Sequence, residues 1–262
     1  PGPALISGPI ETVGGVMNAL TDRQLTLYWC KVPSEHFELA LDVLSDMVVG
    51  STILTEELDR ERKVVVEELA MTNDQPDARV EILIDEILWP DQPMGRDVGG
   101  SKESVMSMSR RALIDYYRQQ YVANNSVVSI VGNVAHRDVV SAVERRLGEW
   151  ESGQVRNWAG VSEGVSSQKI ALEYRKSDQA NICLAFPGVS ATDPKRNSLD
   201  MLNVVLGDGM TSRLFMEMRE RRGLAYDVHS SSSHYRDCGS VTVHSSVDPT
   251  NAELALSVII NE

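Results

Sequence analysis

The chain has 262 residues, a net charge of −13, a pI near 4.9, 42% hydrophobic residues and 24% charged residues. That length holds two ordinary domains with real cores, and the acidic balance argues against nucleic acid as a main partner, because phosphate binding needs a basic face. No apolar run approaches the roughly 18 residues of a membrane-spanning helix, and three scattered cysteines, Cys30, Cys183 and Cys238, suit a reducing compartment such as the cytoplasm better than a disulfide framework.

Residues 4–13 end a helix that Gly14-Gly15 closes. MNALT and LTLYWCKV alternate as two strands joined by a polar turn at Asp22-Arg23. Pro33-Ser34 opens a helix through Val49, with Leu39, Val43, Leu44 and Met47 as its apolar face. Thr55 is a natural N-cap for the next helix, whose first turn is acidic and which Asn73-Asp74-Gln75-Pro76 stops. A helix over 77–88 and a Pro/Gly-rich loop over 90–100 follow. Ser109 caps a helix to Tyr121, SVVSIVGNV at 126–134 predicts a buried strand, and 136–149 is an amphipathic helix. Residues 151–167 are rich in Gly and Ser, lack periodicity, and suit an interdomain linker. Beyond them the pattern predicts strands near 168–175 and 180–187, helices over 194–206 and near 212–222, two strands and a final helix.

The chain also repeats itself. A helix, Gly14-Gly15, two strands, Pro33 and ELALDVL at 38–44 are matched by a helix, Gly223-Leu224, two strands, Pro249 and ELALSVI at 253–259. The predicted fold is therefore α+β with duplicated domains, each an antiparallel-rich sheet packed with helices. The first spans 1–150, the linker 151–167, and an incomplete second domain 168–262.

Chemistry concentrates in RERKVVVEEL at 60–69, where Glu61 and Glu68 stand seven residues apart. That is about two helical turns, so both acids share one face with Val64 and Val65. A carboxylate on an apolar stripe is costly to bury unless a cation meets it, and a metal ion is one candidate. The plain alternative is a pair of surface glutamates in a good helix. The five histidines form no H-x-x-E-H or H-E-x-x-H pattern. Asn18 is unusual in a strand, Arg219 lies in an RERR charge run, and Tyr226 could be an ordinary strand aromatic.

Four segments taken in order carry a resemblance: IETVGG with Asn18, Ala19 and Thr21; RERKVVVEEL; the long stretch from PMGRDVGG to SIVGNV; and GDGMTSRLFMEMRERRGLAYDV. Together they resemble the insulinase/pitrilysin-like zinc metallopeptidases, the inverzincins that include the mitochondrial processing peptidases. The resemblance implies a Zn2+ cofactor, with Glu68 as its third protein ligand and Glu61 as the acid that supports it. It implies that Asn18 and Ala19 lie on the strand whose backbone pairs with substrate. It further implies that Arg219 and Tyr226 reach the substrate from the second domain, Tyr226 with a catalytic role. The family's H-x-x-E-H helix, source of two His ligands and the general base, is absent from this sequence; family spacing would put it roughly ten residues before Pro1. The expected function is that of a zinc-dependent endopeptidase, cleaving peptides or unfolded polypeptide in a clam-like chamber completed by a second copy or a paired homologous subunit. This chain alone is then expected to be inactive. The alternative is a non-catalytic structural or substrate-recognition subunit of the same family.

Overall fold

The computed structural model describes residues 3–162 and 169–262. The architecture is α+β, and the chain divides into two compact units. One comprises Pro1–Val66 and Lys102–Trp158; the other comprises Glu67–Ser101 and Ala159–Glu262.

The first unit opens with α1 (Pro3–Thr12), which ends in a Schellman motif. Gly14 adopts φ +74°, its N–H donates to the Glu11 carbonyl at 2.9 Å, and the Gly15 N–H donates to the Ile10 carbonyl at 2.9 Å. Ile10 itself is fully buried. The chain then forms an antiparallel hairpin of β1 (Val16–Thr21) and β2 (Thr26–Lys31), with Asn18 opposite Trp29 and Ala19 opposite Tyr28. Asp22 N–H closes the turn onto the Leu25 carbonyl at 2.8 Å. A 3₁₀ turn at Ser34–His36 leads into α2 (Phe37–Val49), which buries Ala40 and Leu41; the expected face of Leu39, Val43, Leu44 and Met47 is only half-buried. Next comes α3 (Thr55–Asp74), which starts one residue earlier than expected. The Leu54 carbonyl already accepts from Leu58 N–H at 2.9 Å, so Leu54 rather than Thr55 holds the cap position. After α4 (Pro76–Leu88) of the second unit come α5 (Lys102–Ser107), which the pattern did not announce, and α6 (Arg110–Gln120), where Ser109 Oγ accepts from Ala112 N–H at 3.1 Å. Last in this unit, α7 (His136–Leu147) lies against α2, with Arg145 on Glu38 at 3.0 Å and Arg146 on Asp42 at 3.1 Å.

The second unit is built on three antiparallel strands in the order β3-β5-β4: β3 (Ala180–Pro187), β4 (Ala225–His234) and β5 (Gly239–Val247). Helix α4, begun by Pro76 at its first position, packs on β3, and α8 (Arg196–Gly207) packs on β4. A Cβ at Gly207 would meet the Ser230 backbone nitrogen at 2.6 Å, so only glycine allows this approach. Leu214, Met218, Val228, Val243, Val247, Ala255 and Val258 form one core, drawn from a π-helix at Phe215–Arg221 and its flank, the two strands, and α9 (Ala252–Asn261). Among the described residues no helix is long and apolar enough to cross a membrane.

Two expected strands are corrected. Residues 126–134 join no sheet, and Val127 and Val131 are 94% and 95% exposed. Residues 169–176 are likewise unpaired, with Ile170, Leu172 and Tyr174 bare. Alternating apolar sequence makes a strand only when its N–H and C=O groups find a neighbour, and among the described residues no strand pairs with either stretch. In the expected linker, 151–162 hold neither helix nor strand, while 163–168 lie outside the described residues.

The repeat appears as the same order of elements in each unit. A helix ends at a positive-φ glycine, Gly14 at +74° or Gly223 at +60°. An antiparallel hairpin, a 3₁₀ turn beside Pro33 or Pro249, and a helix then follow. Gly14→Ala and Gly223→Ala should each lose about 1–2 kcal/mol from left-handed strain alone. Gly8→Ala, in the interior of α1, should gain nothing, because Pro9 follows and its ring disfavours helical backbone for a preceding residue that carries a Cβ. Urea unfolding midpoints check all three.

Candidate active site

The hairpin places Asn18 and Ala19 on β1, exposed, with β2 as the strand's sole partner among the described residues. The Ala19 N–H donates to the Asn18 side-chain oxygen at 2.8 Å. An incoming chain that sought this amide would have to displace the Asn18 side chain.

Glu61 and Glu68 share helix α3 at the expected spacing. Both are exposed, neither forms an ion pair among the described residues, and α3 buries no side chain. The apolar stripe that was to make these carboxylates costly is therefore not sunk in a core. Arg62, between them, is engaged instead by Asp59 at 2.6 Å and by the Met108 carbonyl.

Arg219 and Tyr226 do come together. Arg219 sits on the π-helix and Tyr226 near the start of β4. The guanidinium carbon lies 4.5 Å from the centroid of the Tyr226 ring and 5.0 Å from that of Phe215, and Nη1 donates to the Tyr226 carbonyl at 3.1 Å. The RERR run is not one solvated patch. Glu217 takes Arg221 at 2.9 Å and Arg222 at 2.8 Å, which holds its carboxyl below the usual range. Arg219 has no carboxylate partner among the described residues. Tyr226 is 77% exposed and borders a cleft of about 390 Å³ with Pro76, Asp77, Gln179, Asn181 and Asp227.

A second polar cluster crosses the three strands, and no sequence motif marks it. Cys183, His244 and His229 occupy one row, each opposite the next in the ladder. Cys183 Sγ lies 3.5 Å from His244 Nε2, the two imidazoles stack with centroids 5.1 Å apart, and Glu81 on α4 lies 4.0 Å from His244 Nδ1. The set has the outline of a thiol nucleophile with its base, but the electrostatics oppose it. Burial pushes the Cys183 thiol up to about 12, with Glu81 and Asp85 adding to the shift. Burial and the neighbouring His229 lower His244 to about 4, against a smaller opposing pull from Asp227. Neither group is ionised near neutrality, so no thiolate–imidazolium pair forms. His234 is also structural: its Nδ1 lies 2.8 Å from the Val189 carbonyl oxygen and its Nε2 2.8 Å from an Asp200 carboxyl oxygen. With Ser232 it holds the Asp200 carboxyl below its ordinary range.

The family model described as "Insulinase (Peptidase family M16)" matches residues 3–102, and that described as "Peptidase M16 inactive domain" matches residues 107–262. The chain belongs to peptidase family M16. An uncharacterised zinc protease of Streptomyces coelicolor is 37% identical over 98% of this chain and 57% of its own length. Another, from Bacillus subtilis, is 34% identical over 91% of this chain and 58% of its own. The chain thus spans somewhat under three fifths of the length of these two relatives. A solved M16 inactive domain from Pseudomonas fluorescens has the same fold, with a TM-score of 0.87 at 19% identity over 98% of this chain and 64% of that one.

The zinc that the M16 family implies does not fit the residues present here. Glu68 is one exposed carboxylate, and among the described residues no group of three or more His, Cys, Asp or Glu converges as a metal site, where zinc takes four ligands.

His244 makes stability depend on pH. Its ordinary value is 6.5 and its folded value about 4, so the unfolded chain takes up this proton first on acidification. The contribution is complete above pH 6.5 and is lost as the pH falls toward 4. Melting curves should show His244→Gln losing less stability than wild type across that window, with the two profiles parallel above it.

Proposed function

We propose that the intact protein is a zinc-dependent endopeptidase acting on peptides or unfolded polypeptide. Membership of family M16 and the relatives' names as zinc proteases support the class. The observation that carries the reading is Arg219: a guanidinium without a carboxylate partner among the described residues, stacked on Tyr226. The Tyr226 hydroxyl has no hydrogen-bond partner there either. An Arg fork suits a peptide carbonyl or carboxylate, and a free phenol can donate to charge that develops on a scissile carbonyl.

In this reading a substrate strand adds to the open edge of β1 at Asn18 and Ala19. Arg219 binds a substrate carbonyl, and Tyr226 is the catalytic hydrogen-bond donor. Glu68 supplies one zinc ligand, supported by Glu61, and the other ligands come from residues outside this chain. No step through the metal follows from the residues in hand. Residues 1–150 are a first peptidase-like domain, 151–167 a linker and 168–262 part of a second, and the chamber is completed by a second copy or a homologous subunit.

One observation favours a second reading. The model matching residues 107–262 is described as an inactive domain, which suits a non-catalytic recognition subunit. Zinc content and turnover of a quenched fluorescent peptide by the intact protein separate the two: a zinc-free, inactive protein decides for the subunit. Under the peptidase reading, Tyr226→Phe should lower kcat by roughly 10²-fold or more with zinc unchanged. Arg219→Ala should mainly raise KM, and Glu68→Gln should strip the metal. The 262-residue chain alone should keep no zinc through dialysis, because one carboxylate is a poor site.

A further inference from the structure

The two copies of the repeat differ by one residue at the helix end. In the first, the residue after Gly14 donates to the carbonyl five positions back, at the buried Ile10. In the second, the residue after Gly223 donates six positions back, at the buried Met218, at 2.7 Å. The extra residue lies where the second helix widens into its π turn, a feature that recurs at functional sites. Its effect can be read by counting back from each glycine. Four before Gly14 is Ile10, in the core; four before Gly223 is Arg219, half-buried at the surface. The wider turn keeps Leu214 and Met218 fully buried and sets Phe215 and Arg219, at the same spacing, on the adjoining face.

Phe215 has a specific relation to that cation. Tyr226 stacks on Arg219 but is itself exposed, and the Tyr226 carbonyl holds only one guanidinium nitrogen. Phe215 supplies the other ring, rooted beside the buried Leu214. An aromatic ring attracts a cation without neutralising it. Glu217 meanwhile takes up Arg221 and Arg222 and leaves Arg219 without a carboxylate. The remaining guanidinium N–H groups keep their full charge for a ligand.

Resting on the peptidase reading, we propose that Phe215 is a positioning residue that, from the π turn, holds the Arg219 guanidinium against Tyr226 as a preformed site for a substrate carbonyl or carboxylate. Its action passes through Arg219, whose guanidinium carbon lies 5.0 Å from the Phe215 ring centroid.

The test uses the intact protein with 15N-labelled arginine. The Arg219 Nε–Hε resonance, assigned by its loss in Arg219→Lys, should carry a ring-current shift. Phe215→Leu should move it toward the position of a free arginine, and Phe215→Tyr should leave it in place. In peptide cleavage, Phe215→Leu should raise KM by about two- to fivefold with kcat little changed. Phe215→Tyr should restore KM, and Phe215→Leu added to Arg219→Ala should raise it no further. An unmoved resonance in Phe215→Leu, or effects of the two substitutions that simply add, would overturn the proposal. Phe215→Met replaces the leucine variant if that variant loses its fold. If the wild-type intact protein cleaves no peptide, the peptidase reading fails, and the resonance alone then decides whether Phe215 positions Arg219.

Discussion

At Gly14 and at Gly223 the chain leaves a helix through a positive φ, and the following residue turns back to donate to a carbonyl whose own side chain is fully buried. That reversal joins a helix to a hairpin with one fixed relation between them. The buried residue anchors the helix in the core, the glycine turns the backbone as an L side chain resists doing, and the first strand leaves from the cap. The candidate residues of each copy hang on this arrangement: Asn18 and Ala19 follow the first glycine, while Arg219 and Tyr226 flank the second. In the second unit the strand that emerges also carries Val228 into the core, so cap and core support one another.

What the sequence made legible was local. Gly14, Gly223, Pro33, Pro76 and Ser109 act on their own neighbours, and each marks an element boundary that the structure keeps. The duplication was legible for the same reason, as a series of such local signals in a fixed order. Pairing was less legible. SVVSIVGNV has strand composition, but a strand is a property of two segments, and this segment has no partner among the described residues. The grouping of 67–101 with 159–262 depends on α4 lying against β3, a contact between distant stretches that no periodicity announces.

The candidate site divides in the same way. The seven-residue spacing of Glu61 and Glu68 followed from helical geometry, whereas their exposure did not, because the packing around α3 lies beyond a local pattern. The joining of Arg219 to Tyr226 became legible only through the family motif; the stacking ring of Phe215 and the diversion of Arg221 and Arg222 to Glu217 needed coordinates. Cys183, His244 and His229 were invisible as a group, since strand register alone sets them in a row. Their chemistry then turned on burial rather than on residue type, which separates them from a reactive thiol.

Val127, Val131, Ile170, Leu172 and Tyr174 stand almost wholly in water, on two stretches whose backbones pair with no strand among the described residues. Bare apolar alternation of this kind is a template for adding a foreign strand. The opposing influence is a net charge of −13, which holds copies apart by mutual repulsion. The attraction is short-ranged and survives added electrolyte, while the repulsion is screened within about 8 Å at physiological ionic strength. The two influences thus respond oppositely to salt: dilute buffer favours separation of the copies, and concentrated salt favours contact between their uncovered stretches.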